Sequence, residues 1–209
     1  MEKVYLDNAA TTPIDEAVFE EMKPYMLEYY GNPSSIHSHG RQVRAAIEKA
    51  RKKVADLLNT SPSEIFFTSG GTEADNTAIR CTVEEYGVKN IITTGLEHHA
   101  VLHTVEMLAK RGDVNLHLLD VDSKGVINSN QIDELLQKDS NSLVSLMHAN
   151  NEIGTINDID AIANLVHEHG AFFHSDTVQT MGHFKHDLQE LKANFIVGSA
   201  HKFHGPKGV

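Results

Sequence analysis

LVSLMHANNEIGTINDIDAIANLVHEHGAFFHSDTVQ, residues 143–179, is the stretch whose reading decides the fold. Leu143 to Met147 is a short apolar run, too short for a typical helix, and reads as a buried strand. Asn150-Asn151-Glu152-Ile153-Gly154 supplies a polar turn, and Ile159 to His169 carries a helical pattern. Ala171 to His174 is a second strand, closed by Ser175-Asp176-Thr177-Val178-Gln179. Two strands of one sheet joined through a helix run parallel, because the crossover lays the helix on a face of the sheet.

The same alternation extends outward in both directions. Ile65-Phe66-Phe67-Thr68 is predicted to be a buried strand, followed by Ser69-Gly70-Gly71-Thr72 and a helix from about Thr72. Ile91 to Thr94 leads through Glu97-His98-His99 into a helix to about Lys110. Val114 to Leu119 leads to a helix from about Asn130 to Gln137. Phe195-Ile196-Val197 is a strand, followed by Ser199-Ala200-His201-Lys202-Phe203-His204-Gly205-Pro206-Lys207-Gly208. Near the N-terminus, Val4-Tyr5-Leu6 is a short extended lead-in, Asp7 to Pro13 a polar loop, and Ile14 to about Tyr29 helical. Residues 37–58 carry Val43, Ile47, Ala50, Val54, Leu57 and Leu58 on one helix face, which predicts a core-facing stripe. Gly205 to Val209 reads as the beginning of another strand. The expected class is α/β, a mostly parallel sheet with helices on both faces.

Composition narrows the function classes. Eighteen Lys and Arg against 29 Asp and Glu give a formal net charge of −11, which argues against a surface that tracks nucleic-acid phosphates. The single cysteine, Cys81, excludes an intramolecular disulfide framework, and its place in a helical pattern suggests a small buried apolar role. No apolar run reaches bilayer length and no signal-peptide pattern opens the chain, so a cytoplasmic protein without a membrane partner is expected. The 14 histidines include several close pairs. His167 and His169 lie two apart on a helical pattern and cannot share an ion, HExxH is absent, and no metal site is expected.

Polar residues gather where strands end. Gly71-Thr72, His98, Asn151, Asp176, Gln179 and Lys202 all fall in loops after strands, the edge at which open α/β sheets bind ligands. Each has a plainer reading. Gly70-Gly71 is a phosphate cup at a helix N-terminus or a tight strand-to-helix turn. Asp176 is a partner for a ring nitrogen or a turn cap. Lys202 is a desolvated, nucleophilic amine at a strand exit or a solvated surface lysine. A lysine imine, an acidic partner and a phosphate cup together suggest pyridoxal 5′-phosphate.

The motifs SGGTEADN, EHHAV, NNEIGT, HSDTVQ and SAHKFHGPKG, in that order, resemble the pyridoxal-phosphate-dependent cysteine desulfurases of the NifS/IscS type. The resemblance runs from Leu6-Asp7-Asn8-Ala9-Ala10-Thr11-Thr12 to the last residue. It implies an aspartate-aminotransferase-like fold (PLP fold type I), with residues 1–14 leading to the small domain and the mouth of the active site. Residues 15–209 would be the large cofactor domain, incomplete at its C-terminal end, with the C-terminal small domain missing.

Carried over position by position, the resemblance makes Lys202 the Schiff-base lysine and later proton carrier, and Asp176 the partner of the pyridine nitrogen. Gln179 and Asn151 would hydrogen-bond the ring's phenolic oxygen. His98 would stack on one ring face and act as acid–base partner, and Val178 would pack the other face. Thr72, the Gly71 backbone, Ser199 and His201 would hold the phosphate.

The implied reaction takes L-cysteine to L-alanine and passes sulfur on as a persulfide, for iron–sulfur clusters or thio-cofactors. Implied partners are a second copy in a homodimer and a sulfur-acceptor scaffold protein. The family's cysteine nucleophile and substrate-binding arginine belong to a C-terminal half outside these 209 residues. A fragment, a truncated product and a split half with a complementing C-terminal chain all fit. Selenocysteine lyase, another fold-type-I enzyme and a non-catalytic scaffold stay open as alternatives.

Overall fold

Short, strongly apolar strands alternate with amphipathic helices throughout the computed structural model, which describes residues 3–209. The order is α1 (Glu16–Leu27), α2 (Ser38–Leu57), α3 (Gly71–Tyr86), β1 (Asn90–Thr94), α4 (His99–Arg111), β2 (Asn115–Leu119), α5 (Ser129–Lys138), β3 (Ser142–Ser145), α6 (Ile159–Glu168), β4 (Phe172–Asp176) and β5 (Phe195–Val197). Helix boundaries follow local chemistry. Asp15, Asn128 and Asp158 accept N-terminal N–H groups of α1, α5 and α6, and Gly87 and Gly112 end α3 and α4 in the left-handed conformation.

All five strands are parallel, in the order β2-β1-β3-β4-β5. The chain moves from β1 to one side and then to the other, so the switch point lies between β1 and β3, where crevices open at the carboxyl ends of the strands. Strand alternation sorts the core onto two faces. Ile91 and Leu143 point toward α3 and α4, packing with Ile79, Val83, Val101, Val105 and Leu108. Ile92, Val144 and Phe173 point the other way, packing with Ile132 and Leu136 of α5 and Ile159, Ile162 and Val166 of α6.

Four expectations are corrected. Residues 65–68 form no strand: a 3-10 turn at Pro62–Glu64 leads into unpaired extended chain, and Phe66 is 80 % exposed. Strand preference is a fit to neighbouring strands, and none of the described strands lies beside this run. The α2 stripe is only partly covered. Ala50 is exposed, Leu57 is 78 % exposed, and Val43, Ile47 and Val54 are half-buried. Gly205 to Val209 forms turns, because the Gly205 N–H donates to Ala200 O at 2.8 Å and folds the segment back. Cys81 is exposed. It lies two residues past the buried Ile79, a rotation of about 200° that carries it to the solvent side of α3.

The accessible surface totals 12535 Å², against about 9,700 Å² for a folded monomer of 23.1 kDa. The excess includes Val4, Leu6, Tyr30, Ile36, Leu57 and Phe66. None of the described helices is long and apolar enough to cross a membrane. Apolar patches of this extent favour association. The double variant Leu57→Lys/Phe66→Lys should sediment closer to a monomer than the parent chain at equal concentration. Its melting temperature should stay within about 2 °C, since both side chains are already in solvent; an unchanged sedimentation profile would contradict this account of the surface.

Candidate active site

The C-terminal edge of the sheet gathers the site. After Thr68, Gly70 adopts φ 142°, a conformation L side chains rarely take, and turns the chain into α3. No side chain caps α3, so its first N–H groups face outward with the positive end of the helix dipole. Gly71 is needed for close approach. A Cβ at that position would lie 3.0 Å from Val178 Cγ2, 3.6 Å from Ser199 Cβ and 3.8 Å from Val197 Cγ1. Gly71, Val178 and Ser199 therefore meet in one narrow cradle.

Lys202 closes a single 3-10 turn, Ala200–Lys202, a few residues beyond β5. Its half-buried amine donates to the carbonyls of Ala9 and, at 3.0 Å, Ala10. Burial holds this ammonium below the ordinary lysine range, while Asp176 and Asp7 push it back up. Asp176, the last residue of β4, is 6 % exposed and accepts from the Val178 N–H at 2.9 Å. Burial raises its carboxyl well above the usual carboxylate range and the Asp75 charge adds to this; the Val178 N–H, His174 and Lys202 oppose it. Lysine and aspartate thus act on one another across the edge formed by β4 and β5.

The remaining candidates take different places. Gln179 Nε2 donates to Ala9 O at 3.0 Å, sharing that carbonyl with Lys202. His98 is the N-cap of α4: its Nδ1 accepts from Ala100 N at 3.1 Å, which leaves the neutral ring's proton on Nε2. Desolvation lowers its affinity for a second proton, aided by Lys202 and His99 and opposed by Asp75. Ser199 is buried, with its hydroxyl 3.4 Å from Val209 O. His201 is half-buried and its Nδ1 lies 3.0 Å from Thr11 Oγ1, while Thr72 is exposed at the start of α3. Asn151 turns aside and donates to Glu152 Oε1 at 2.7 Å.

Two further groups complete this edge: residues 9–12, expected only as part of the N-terminal segment at the mouth of the site, and Glu97, given no role from the sequence. Residues 9–12 lie across the site as a strap: the Thr12 N–H and hydroxyl both donate to His201 O at 2.9 Å, and the His204 N–H donates to Thr12 Oγ1 at 2.8 Å. Beneath the site, Glu97 is 6 % exposed, and its Oε1 accepts from Met147 N at 3.1 Å and Thr94 Oγ1 at 3.2 Å. It bridges the ends of β1 and β3 across the switch point. The signal was its place beside His98, masked because a glutamate in a loop ordinarily faces water.

The Aminotransferase class-V family profile matches residues 4–209. The chain belongs to that family. It is 47 % identical over 209 residues to a cysteine desulfurase IscS of Dictyoglomus turgidum, covering 99 % of this chain and 52 % of the relative. It is 46 % identical to a putative cysteine desulfurase, IscS 1, of Bacillus subtilis, covering all of this chain and 55 % of the relative. Among solved structures, a NifS-like protein superposes with a TM-score of 0.94 at 42 % identity, covering 99 % of this chain and 57 % of that one. The chain spans about half the length of the curated relatives it matches. Its α/β architecture is that of PLP fold type I, and pyridoxal 5′-phosphate is the cofactor of this class-V family.

The residues present fit such a group. The Gly71 cradle admits close approach, the N-terminus of α3 suits a phosphate, and Asp176 can oppose a ring nitrogen within reach of an amine. Among the described residues, no cluster of three or more His, Cys, Asp or Glu side chains is arranged to hold a metal.

Glu97 yields a stability test. Burial, reinforced by Asp176 and Asp75, pushes its carboxyl up from 4.5 to about 8 against the hydrogen bonds from Met147 and Thr94. A raised carboxyl binds its proton more tightly when folded, so its contribution is complete below pH 4.5 and is lost as pH rises toward 8. Glu97→Gln keeps the acceptor without the titration. Urea unfolding should show the variant gaining on the parent between pH 5 and pH 8, by on the order of 3 kcal/mol. A parallel pH dependence of the two proteins would contradict the raised value.

Proposed function

We propose that this chain is the cofactor-binding part of a pyridoxal-phosphate-dependent cysteine desulfurase, converting L-cysteine to L-alanine with transfer of the sulfur as a persulfide. The observation that carries the reading is a half-buried Lys202 amine and a buried Asp176 carboxyl whose charges act on one another at the sheet edge that holds the Gly71 cradle. The names of the relatives supply the substrate: several are called cysteine desulfurase IscS, and a structural neighbour is described as SspA in complex with cysteine. Residues 1–14 are then the N-terminal segment at the entry to the active site, with residues 9–12 as the strap, and 15–209 the large domain.

Pyridoxal phosphate, when bound, supplies an electron sink for charge developing at the α-carbon of an amino acid. The chain's own residues position and protonate. Gly71 N–H, Thr72, Ser199 and His201 hold the phosphate with neutral donors and a helix dipole, which agrees with a chain of net charge −11. Asp176 would hold the ring-nitrogen proton, Gln179, once released from Ala9 O, and Asn151, once released from Glu152 Oε1, would orient the phenolic oxygen, and Val178 and His98 would flank the ring. Lys202 Nζ, on leaving the Ala9 and Ala10 carbonyls, would be the amine that holds the cofactor and would carry the α-proton. His98 Nε2 is placed to exchange a proton with the substrate.

The reading assigns the sulfur-accepting cysteine and the substrate-carboxylate arginine to the half of the relatives that this chain does not span. Cys81, exposed on α3, is not used. The uncovered apolar surface is then the face for that half and for a second copy, with a scaffold protein receiving the sulfur.

Two measurements test this. Purified protein with added pyridoxal phosphate should develop a visible absorbance band that is absent in Lys202→Ala. Alanine release from L-cysteine should then appear when a C-terminal half from a relative is supplied. A colourless mixture would overturn the cofactor reading. A coloured one that never releases alanine, or releases selenide from selenocysteine far faster, would overturn the substrate.

A further inference from the structure

A buried pair lies beneath Lys202 and Asp176, and the proposed chemistry leaves it unused. Asp75, in the second turn of α3, is 1 % exposed, and His174 on β4 is fully buried. Residues two apart on a strand project to the same face, so His174 and Asp176 share the face that α3 covers. There Asp75 Oδ1 lies 3.3 Å from His174 Nε2. The contact is close enough for attraction but not aligned as a hydrogen bond, and both atoms lack any other partner.

The ring's orientation is fixed from the opposite side. His174 Nδ1 lies 2.9 Å from Ser145 Oγ, and Ser145 is its register neighbour on β3. Ser145 thereby turns Nε2 toward Asp75. A carboxylate buried with one poorly aligned partner is costly, and packing alone gives no reason for a charge at this point.

We propose that Asp75, held against His174, is a positioning residue of the cofactor site: its buried charge joins Asp176 in a two-carboxylate field that favours a protonated pyridine nitrogen. The inference rests on the pyridoxal-phosphate reading. The groups that act on Asp176 are Asp75 from α3, His174 from its own strand, Glu97 from the turn after β1 and Lys202 from the loop after β5. Of the two neighbouring carboxylates, Glu97 carries its proton at neutral pH. Asp75 is then the one whose charge opposes ionisation of Asp176 when no ring cation is present and complements that cation when it is.

The test uses carbon-13 NMR of aspartate carboxyls, with the Asp176 signal assigned from Asp176→Asn. In the chain without added cofactor, Asp75→Asn should lower the titration midpoint of Asp176 by about one pH unit. It should also reduce, about tenfold, the preference for pyridoxal phosphate over its 1-deaza analogue, in which carbon replaces the ring nitrogen. Ser145→Ala keeps the charge and should leave the Asp176 midpoint near that of the parent. An unchanged midpoint in Asp75→Asn overturns the proposal.

Should Asp75→Asn fail to fold, the parent chain still decides. Its Asp75 signal should move on adding pyridoxal phosphate and stay in place with the deaza analogue; equal shifts overturn the proposal. If neither compound binds, the cofactor reading itself fails, and the cofactor-free comparison of Asp176 in Asp75→Asn, or in Asp75→Ser if the amide does not fold, still judges whether Asp75 acts on it.

Discussion

Taking a carboxylate out of water costs several kcal/mol unless its charge is neutralised or met by a partner. The C-terminal edge of this sheet holds three such groups, Asp75, Glu97 and Asp176. Each is handled differently. Glu97 keeps its proton and bridges β1 to β3, Asp75 faces His174, and Asp176 accepts one N–H beside Lys202. The arrangement depends on the parallel register: Ser145 opposite His174 and Val197 opposite Asp176 bring the groups to one level of one face. A slip of one residue would send His174 and Asp176 to the α5/α6 side, into an apolar layer with nothing to meet them.

Much of the fold was readable because its strands are buried on both faces and its helices are amphipathic. Residues 142–176 fold as strand, helix and strand near the expected limits. The runs that misled, residues 65–68 and the α2 stripe, are apolar segments that the described residues leave exposed or cover only in part. Periodicity reports that a face wants covering and is silent about what covers it. Cys81 shows the smaller error of assigning burial by residue type where the helical angle from Ile79 decides.

The candidate site was legible as a set of loops: topology carries His98, Asp176, Gln179 and Lys202 from strand ends to one edge, while Gly71 reaches it at the start of α3 with no strand before it among the described residues. What the sequence concealed were contacts made by atoms without a signature. The Ala9 and Ala10 carbonyls that hold the Lys202 amine belong to residues with no functional side chain. Asp75 and Glu97 look like ordinary acidic residues until the packing around them is known. Even Asn151, expected beside the ring, spends its amide on Glu152.

The strap joins residues very far apart along the chain: Thr12 and His201 are separated by 189 positions, Ala9 and Lys202 by 193. Such contacts carry a large loop-closure entropy and form late. During synthesis the N-terminal segment leaves the ribosome first, yet apart from the Gln179 amide that donates to Ala9 O, the partners that hold it lie in the loop after β5. Thr12 therefore stays without its His201 and His204 partners while α3 to β5 assemble. The loop after β5 is what recruits the first residues of the chain, so a nascent chain released before Lys202 would lack most of the contacts that hold its N-terminal segment.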